Sequence, residues 1–323
     1  MRAIVVEKFG DPGVLQIGEA ESPKPGPGQV LVRLEVAGVN FSDTERRRAL
    51  YRVPTLPWIP GNEGAGRVER VGEGVDKFWI GMRVALWSFE SSGTYAEYAV
   101  APVEALFRVP DDVSLDIAAA LPVQGLTAYG LTHFATALEP GESALVHAAA
   151  GGVGGLLVQL LRLRGVQVFG TASSPAKLDL IRSLGAIPLP YGPGVAPGIL
   201  EVRGVATVDA VFDSVGLSTQ EQSLSILGLY GHLVFFGDAS GPPRPIDPDE
   251  LYGRSLKVSS FGLGAHPARD LGEARADLLG WVRSGQLKVH IGHALPLESA
   301  AEAHRLLEGR QSQGKIVLKT TGC

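Results

Sequence analysis

The chain has one cysteine, Cys323, and two methionines among its 323 residues. A lone thiol excludes an internal disulfide and any zinc site built on cysteines. The seven histidines are scattered. Only His290 and His293 stand close together, and they read as a surface pair, so no metal is expected. Charge is sparse, at 20% of residues with a formal net charge of −5, and no long basic run exists. That balance argues against nucleic acid as the main partner. The one basic triplet, Arg46-Arg47-Arg48, reads as solvated surface. No uncharged apolar stretch reaches the ~20 residues that span a bilayer. Met1-Arg2-Ala3-Ile4-Val5-Val6-Glu7 enters a strand-like pattern at once, with no signal peptide, so a cytoplasmic protein without a membrane partner is the expectation.

What is abundant is apolar content, 45% of residues, and glycine, 42 of them. The length suggests about two domains. The first third is rich in turns, with strand patterns at 3–6, 30–39, 64–71, 83–86 and 93–100. Pro54, Pro57, Pro60 and Gly61 punctuate a long loop around Tyr51 and Trp58, the kind of loop that often carries function. A helix is expected from Ser114, its cap, and another after Pro122 through 126–138. The middle third alternates apolar strands (144–148, 166–171, 186–189, 208–213, 232–237, 256–261) with helical segments. Such alternation predicts a parallel sheet with helices on both faces. The tail adds helices near 271–283 and 299–307 and a strand at 316–318.

The most informative stretch is Val146-His147-Ala148-Ala149-Ala150-Gly151-Gly152-Val153-Gly154. An apolar strand ends in small residues, and Val153, Leu156, Leu157, Leu160 and Leu161 then mark one face of a helix. A glycine turn between strand and helix suits a pyrophosphate, because the backbone can come close and the helix N-terminus offers unpaired N–H groups. Against G-x-G-x-x-G the first glycine is Ala149. The βαβ context is supplied by the strand at 166–171. At that strand's end a dinucleotide site for NAD usually places an acid. Here stand Thr171-Ala172-Ser173-Ser174-Pro175-Ala176-Lys177, two hydroxyls and a cation, which favours the 2′-phosphate of NADPH. The plainer reading is that the serines cap the helix starting near Pro175, and both can hold.

Several segments together carry a resemblance. They are Gly38-Val39-Asn40-Phe41-Ser42-Asp43, Pro60-Gly61-Asn62-Glu63-Gly64-Ala65-Gly66, Gly93-Thr94-Tyr95-Ala96-Glu97-Tyr98, Leu121-Pro122-Val123-Gln124-Gly125-Leu126-Thr127-Ala128, the glycine turn, and Gln313-Gly314-Lys315-Ile316-Val317-Leu318. From nearly one end to the other the chain resembles the zinc-free quinone oxidoreductases of the medium-chain dehydrogenase/reductase superfamily, the zeta-crystallin group. The resemblance implies an α/β fold in which a Rossmann dinucleotide-binding domain is inserted in a β-rich GroES-like catalytic domain. Its expected limits are 1–124 for the catalytic domain, 125–262 for the NADPH-binding domain, and 263–323 for the segment that completes the first. Asn62 stands where zinc-dependent relatives have the histidine of Gly-His-Glu, in keeping with no metal.

The resemblance further implies the site. Asn40, Asp43, Tyr51 and Gln124 would line the substrate pocket, Gln124 beside the nicotinamide, with Asn40 and Tyr51 able to donate to a carbonyl oxygen as it gains negative charge. Asn40 is otherwise a turn residue and Tyr51 a loop aromatic over the core. Thr127 would meet the nicotinamide end. Ala150, Gly151, Gly152, Val153 and Gly154 would hold the pyrophosphate, and Ser173, Ser174, Lys177 and Tyr191 the 2′-phosphate. Ser214, Val215, Phe236 and Gly237 would wall the ribose and nicotinamide, with one of Phe235 and Phe236 simply core. The implied activity is NADPH-dependent reduction of quinones or related conjugated carbonyls. Reduction of an enone or enal double bond is the rival, and a non-catalytic NADPH-binding structural or regulatory protein the third reading. A homodimer joined through the strand at 256–261 is expected, because an apolar edge needs covering.

Overall fold

The computed structural model describes residues 1–88, 93–266 and 271–320, so Cys323 lies outside the described residues. The chain divides into two compact units, one formed by Met1–Leu126 with His266–Cys323, the other by Thr127–Ala265.

The first unit opens with an antiparallel ribbon, β1 (Arg2–Val5) on β2 (Gln16–Glu19). Next comes β3 (Gln29–Val39), followed after Asn40 by α1 (Phe41–Arg47). Then come β4 (Glu63–Val71), β5 (Arg83–Trp87), β6 (Tyr98–Pro102), β7 (Leu106–Arg108) and the short helix α2 (Leu115–Ala118). Ser114 caps α2 as expected, its hydroxyl accepting from Ile117 N–H. Alternation along β3 places Val30, Val32 and Leu34 in one apolar cluster with Val68, Val84 and Leu86. Farther along, Ala37 and Val39 pack with Ile4, Tyr95, Ile316 and Leu318. Of the strand read at 93–100, only the part from Tyr98 is a regular strand. Gly93, Thr94 and Tyr95 bend instead, with the Thr94 and Tyr95 N–H groups donating to Gly61 and Pro60 carbonyls.

Helix α3 (Leu126–Gly130) sits between two wide π turns, Leu121–Gly125 and Leu131–Ala135, where the sequence pattern suggests one continuous helix. Two local features oppose regular winding. Pro122 has no N–H, and Thr132 Oγ1 donates to the Ala128 and Tyr129 carbonyls.

The second unit is a six-stranded parallel sheet. Its strands are β8 (Ser143–Val146), β9 (Gln167–Ala172), β10 (Ile187–Pro190), β11 (Val208–Asp213), β12 (Leu227–Phe235) and β13 (Lys257–Ser260), in spatial order β10-β9-β8-β11-β12-β13. The connecting helices are α4 (Gly152–Leu163), α5 (Pro175–Ser183), α6 (Val195–Arg203), α7 (Gln220–Ser225) and α8 (Asp249–Tyr252). Leu145, Phe169, Val211 and Leu233 lie in its core, which is why these strands read as nearly unbroken apolar runs. β12 begins five residues before its apolar run, because Leu227 pairs with Val208 ahead of a register shift. The order is that of a doubly wound dinucleotide fold, with ligands expected at the carboxyl ends of the strands.

The tail returns to the first unit with α9 (Gly272–Arg283), β14 (Ile291–Pro296), α10 (Ala300–Glu308) and β15 (Lys315–Lys319). β15 lies between β14, to which it is parallel, and β3, to which it is antiparallel.

Candidate active site

A buried polar cluster forms where β3 gives way to α1. Asn40 has extended backbone, and its N–H donates to Asp43 Oδ2 at 2.9 Å. Glu63, at the start of β4, is fully buried against β3. A Cβ on Gly38 would come within 2.7 Å of the Glu63 Cγ, so only glycine fits there. Glu63 Oε1 accepts from Asn40 Nδ2 at 2.7 Å and from the Lys315 ammonium, while Oε2 accepts from Val123 N–H at 2.7 Å. Lys315 also donates to Val39 O (3.0 Å) and Asn40 Oδ1 (3.1 Å). Gln124 Nε2 donates to the same Asn40 Oδ1 at 3.3 Å.

From Asp43 a second line of bonds runs to the tail. Arg47 donates Nη1 to His304 Nδ1 (3.3 Å), Nε to Gly10 O (3.0 Å) and Nη2 to Glu308. A guanidinium only donates, so Nδ1 of His304 accepts and its proton sits on Nε2. Nε2 is 3.1 Å from Tyr95 Oη, and the Tyr95 O–H donates to Asp43 Oδ2 at 3.2 Å. Asp43 Oδ1 takes Asn62 Nδ2 at 2.8 Å, and Asn62 Oδ1 accepts from Arg46 at 2.7 Å. The Arg46 guanidinium lies over the Trp58 ring at 4.9 Å. Burial raises the Asp43 pKa to about 6, against the Asn40 N–H bond and the Lys315 and Arg46 charges, with Glu63 adding to the rise. Burial, then the Arg47 charge, pushes His304 down to about 3. Tyr95 is raised well above the ordinary phenol, by burial first and then by Asp43.

The basic triplet is therefore not a solvated surface. Arg47 is 1% exposed, Arg46 is half-buried, and only Arg48 is exposed. The helical turn of α1 carries the first two into the network, where Arg46 meets the Asn62 amide oxygen and Arg47 meets Gly10 O, the His304 imidazole and Glu308.

In the second unit, the ends of five parallel strands carry the residues expected to bind a dinucleotide. Ala148, after β8, has φ 51°, and its carbonyl accepts from Gly151 N–H at 2.9 Å. A Cβ on Gly154 would come within 2.8 Å of Ala149 Cα and closer still to the Ala148 carbonyl oxygen. Glycine there lets α4 start tight against β8. Ala150 is buried; Gly151, Gly152 and Val153 are half-buried at the helix start, where no side chain caps the backbone. After β9, Ser173 is exposed and Ser174 half-buried. Ser174 stands at the cap of α5 but makes no cap bond with its hydroxyl, and Lys177 follows within the first turn.

Tyr191, after β10, accepts from Ala148 N–H at 2.8 Å, with its ring parallel to His147 at 5.8 Å. His147 is buried between Thr171 Oγ1 (2.9 Å) and Ser223 Oγ (3.1 Å), and burial lowers its pKa against the pull of Asp213. Asp213 ends β11 fully engaged, accepting from Val215 and Gly216 N–H and from the Thr219 and Ser223 hydroxyls. After β11 and β12, Ser214-Val215 and Phe236-Gly237 run side by side; Phe236 N–H donates to Asp213 O and Ala239 N–H to Ser214 O. Phe235 packs on the core cluster.

Thus Asn40, Asp43 and Gln124 share one cluster, and the glycine turn, Ser173, Ser174, Lys177, Tyr191, Ser214, Val215, Phe236 and Gly237 share one end of one sheet. Thr127 lies half-buried in α3. Tyr51, on the loop after α1, is near enough to Arg46 to act on its charge. It is 39% exposed, with the Arg52 guanidinium over its ring. Sequence reasoning assigned no role to Glu63, Lys315, Tyr95, His304 or Arg47. One signal was available: a lysine opening the apolar run Lys315-Ile316-Val317-Leu318 must find an anion when that strand is buried.

Two family models match the chain, "Alcohol dehydrogenase GroES-like domain" over residues 26–111 and "Zinc-binding dehydrogenase" over residues 196–318. A quinone oxidoreductase of Pseudomonas aeruginosa is 39% identical over 96% of this chain and 97% of its own length. A 2-haloacrylate reductase of Burkholderia is 36% identical over 98% of each. The solved structure of the Escherichia coli quinone oxidoreductase complexed with NADPH has a TM-score of 0.93 at 33% identity, covering 99% of this chain and all of that one. The fold is a GroES-like β domain with an inserted Rossmann domain, and the chain belongs to the quinone oxidoreductase-like family of the medium-chain dehydrogenases/reductases.

The residues do not fit the zinc that the second model's description implies. Among the described residues no group of three His, Cys, Asp or Glu side chains is placed to hold a metal. Asn62 has its oxygen on a guanidinium, and Glu63 is already neutralised by an ammonium. A dication there would meet two cations and no thiolate or imidazole ligand.

Proposed function

We propose that this protein is an NADPH-dependent, zinc-independent reductase of quinones or related conjugated carbonyls. The observation that carries the reading is its similarity, over nearly the whole length, to quinone oxidoreductases, one of them solved with NADPH. The Thr127–Ala265 unit fits the dinucleotide by its own chemistry. Its glycine turn cannot take a side chain at Gly154, and it offers Ser173, Ser174 and Lys177 where an NAD site would offer an acid. When bound, NADPH supplies a hydride from its nicotinamide ring. Gly151, Gly152 and Val153 give backbone N–H groups to the pyrophosphate. Ser173, Ser174 and Lys177 hold the 2′-phosphate, with Tyr191 bracing the turn through Ala148 N–H. Asn40, held by Glu63 and Lys315, donates to the substrate oxygen as charge develops there, and Tyr51 is a second donor. Asp43 holds that arrangement, Gln124 lines the same pocket, and water supplies the final proton. The protein acts in the cytoplasm as a homodimer joined along β13, which among the described residues pairs only with β12.

The test is NADPH oxidation with 1,2-naphthoquinone, benzoquinone and 2-hexenal in parallel. Turnover of the quinones supports the reading. Turnover of the enal alone favours the double-bond reductase, a reading supported by the 36% identity to a 2-haloacrylate reductase. NADPH binding without turnover of any acceptor favours the non-catalytic role.

A further inference from the structure

Among the described residues one buried side-chain acceptor near Asn40 has no hydrogen-bond partner: Gln124 Oε1. An amide oxygen and nitrogen look alike by shape, so which end faces which neighbour must follow from the donors and acceptors around them. Here that chain of constraint is complete. Lys315 has three N–H donors and no acceptor, and all three are placed, on Val39 O, Asn40 Oδ1 and Glu63. The oxygen of Asn40 must therefore face Lys315. The Glu63 carboxylate only accepts, so the Asn40 nitrogen must face it, as it does at 2.7 Å. With Asn40 so fixed, its oxygen can receive only a donor from Gln124. Gln124 turns Nε2 toward it at 3.3 Å, and Oε1 is left over. The residue is 8% exposed, so water does not readily satisfy that oxygen. An unpaired buried acceptor is costly, and native proteins keep few of them.

We infer that the buried Lys315–Glu63 pair sets the polarity of two amides in series, Asn40 and then Gln124, so that Gln124 Oε1 is held as an acceptor for an N–H or O–H of the bound molecule. Lys315 and Glu63 are positioning residues in this scheme; Gln124 makes the contact. The inference rests on the function proposed above. Two molecules of that reaction carry such a donor beside a conjugated ring, the nicotinamide carboxamide and the hydroxyl of a reduced quinone.

The experiment is isothermal titration of NADP+ and of its 3-acetylpyridine analogue, which lacks the carboxamide N–H. Titration of 1,4-hydroquinone and of its dimethyl ether into the NADP+ complex follows. Four proteins are compared: wild type, Gln124→Met, Lys315→Arg, and the double variant Lys315→Met with Glu63→Gln, which removes the charges as a pair. Thermal melting checks that each is folded. Wild type should prefer the donor-bearing member of one of the two ligand pairs by roughly three- to tenfold, the range a neutral hydrogen bond gives. The pair showing the preference identifies the source of the donor. Gln124→Met should bind both members equally. Lys315→Arg, still charged and donor-only, should keep the preference, and the double variant should lose it as the amides become free to turn. If Gln124→Met keeps the wild-type preference, or wild type shows none in either pair, the inference fails while NADP+ binding leaves the proposed function standing. Preservation of the preference in a folded double variant refutes the role of the ion pair. A wild type that does not bind NADP+ overturns the function and this inference together.

Discussion

His304 should contribute a loss of stability in acid that Asp43 largely offsets, and replacing it should remove that loss. The unfolded chain takes up the imidazole proton near pH 6.5 and the folded protein only near 3. Stability from the buried neutral ring is thus complete above 6.5 and is lost as pH falls through the interval. Each pH unit within it costs about 1.4 kcal/mol. By pH 5 the loss is about 2 kcal/mol, since 1.5 units have been crossed. Asp43 acts in the opposite direction. Its carboxyl titrates at 3.8 when unfolded and at about 6 in the fold, so its contribution is complete below 3.8 and is lost as pH rises through 6. Going from pH 7 to 5, it returns about 1.4 kcal/mol. The two nearly cancel, and wild type should show only a shallow slope. The variants separate them. His304→Gln can still accept from Arg47 and donate to Tyr95, but it does not titrate. Between pH 7 and 5 its melting temperature should rise relative to wild type by roughly 4–8 °C, the equivalent of about 2 kcal/mol. Asp43→Asn should move the other way by a smaller amount. Differential scanning fluorimetry in matched buffers is sufficient. A constant gap between wild type and His304→Gln from pH 7 to 5 would refute the buried neutral histidine.

Three further outcomes are expected. Gly154→Ala should lower NADPH affinity at least tenfold and reduce stability by about 1–3 kcal/mol, because its methyl is driven into the Ala148 carbonyl; fluorescence titration and melting measure both. Lys177→Ala should raise the Michaelis constant for NADPH by roughly tenfold with little change for NADH, and Ser173→Asp should reject NADPH. Equal weakening of both cofactors in steady-state assays would contradict the 2′-phosphate assignment. Light scattering at micromolar concentration should give the mass of a dimer, and a monomer would count against the β13 edge.

The sheet of the second unit was readable because its strands are covered on both faces and therefore appear as apolar runs between helical patterns. The face of α4 could be traced from Val153 to Leu161 because its apolar residues recur at helical spacing. The wide turns around α3 were not readable, since Leu121 to Leu138 keeps an acceptable helical pattern while one proline and one threonine hydroxyl change the winding. The site was half readable. Asn40, Gln124 and the glycine turn stand in recognisable strings, but what orients them comes from far away. Arg47 meets His304 across 257 positions and Glu63 meets Lys315 across 252, and no local pattern reports a partner at that distance. The same limit explains Arg46-Arg47-Arg48. Three adjacent cations look solvated until the carboxylate of Glu308 and the imidazole of His304 are known to be beside the middle one.

The separation of Glu63 from Lys315 also has a meaning in time. Glu63 leaves the ribosome 252 residues before the ammonium that neutralises it. At about 5–20 residues per second this is an interval of roughly 13–50 s. During it the whole Thr127–Ala265 unit, continuous in sequence, has been synthesised and can fold. Until then the first unit lacks β15, the strand that lies between β3 and β14, and burying the Glu63 carboxylate without its cation would be costly. A nascent chain arrested before Lys315 should therefore expose the first unit, but not the second, to protease.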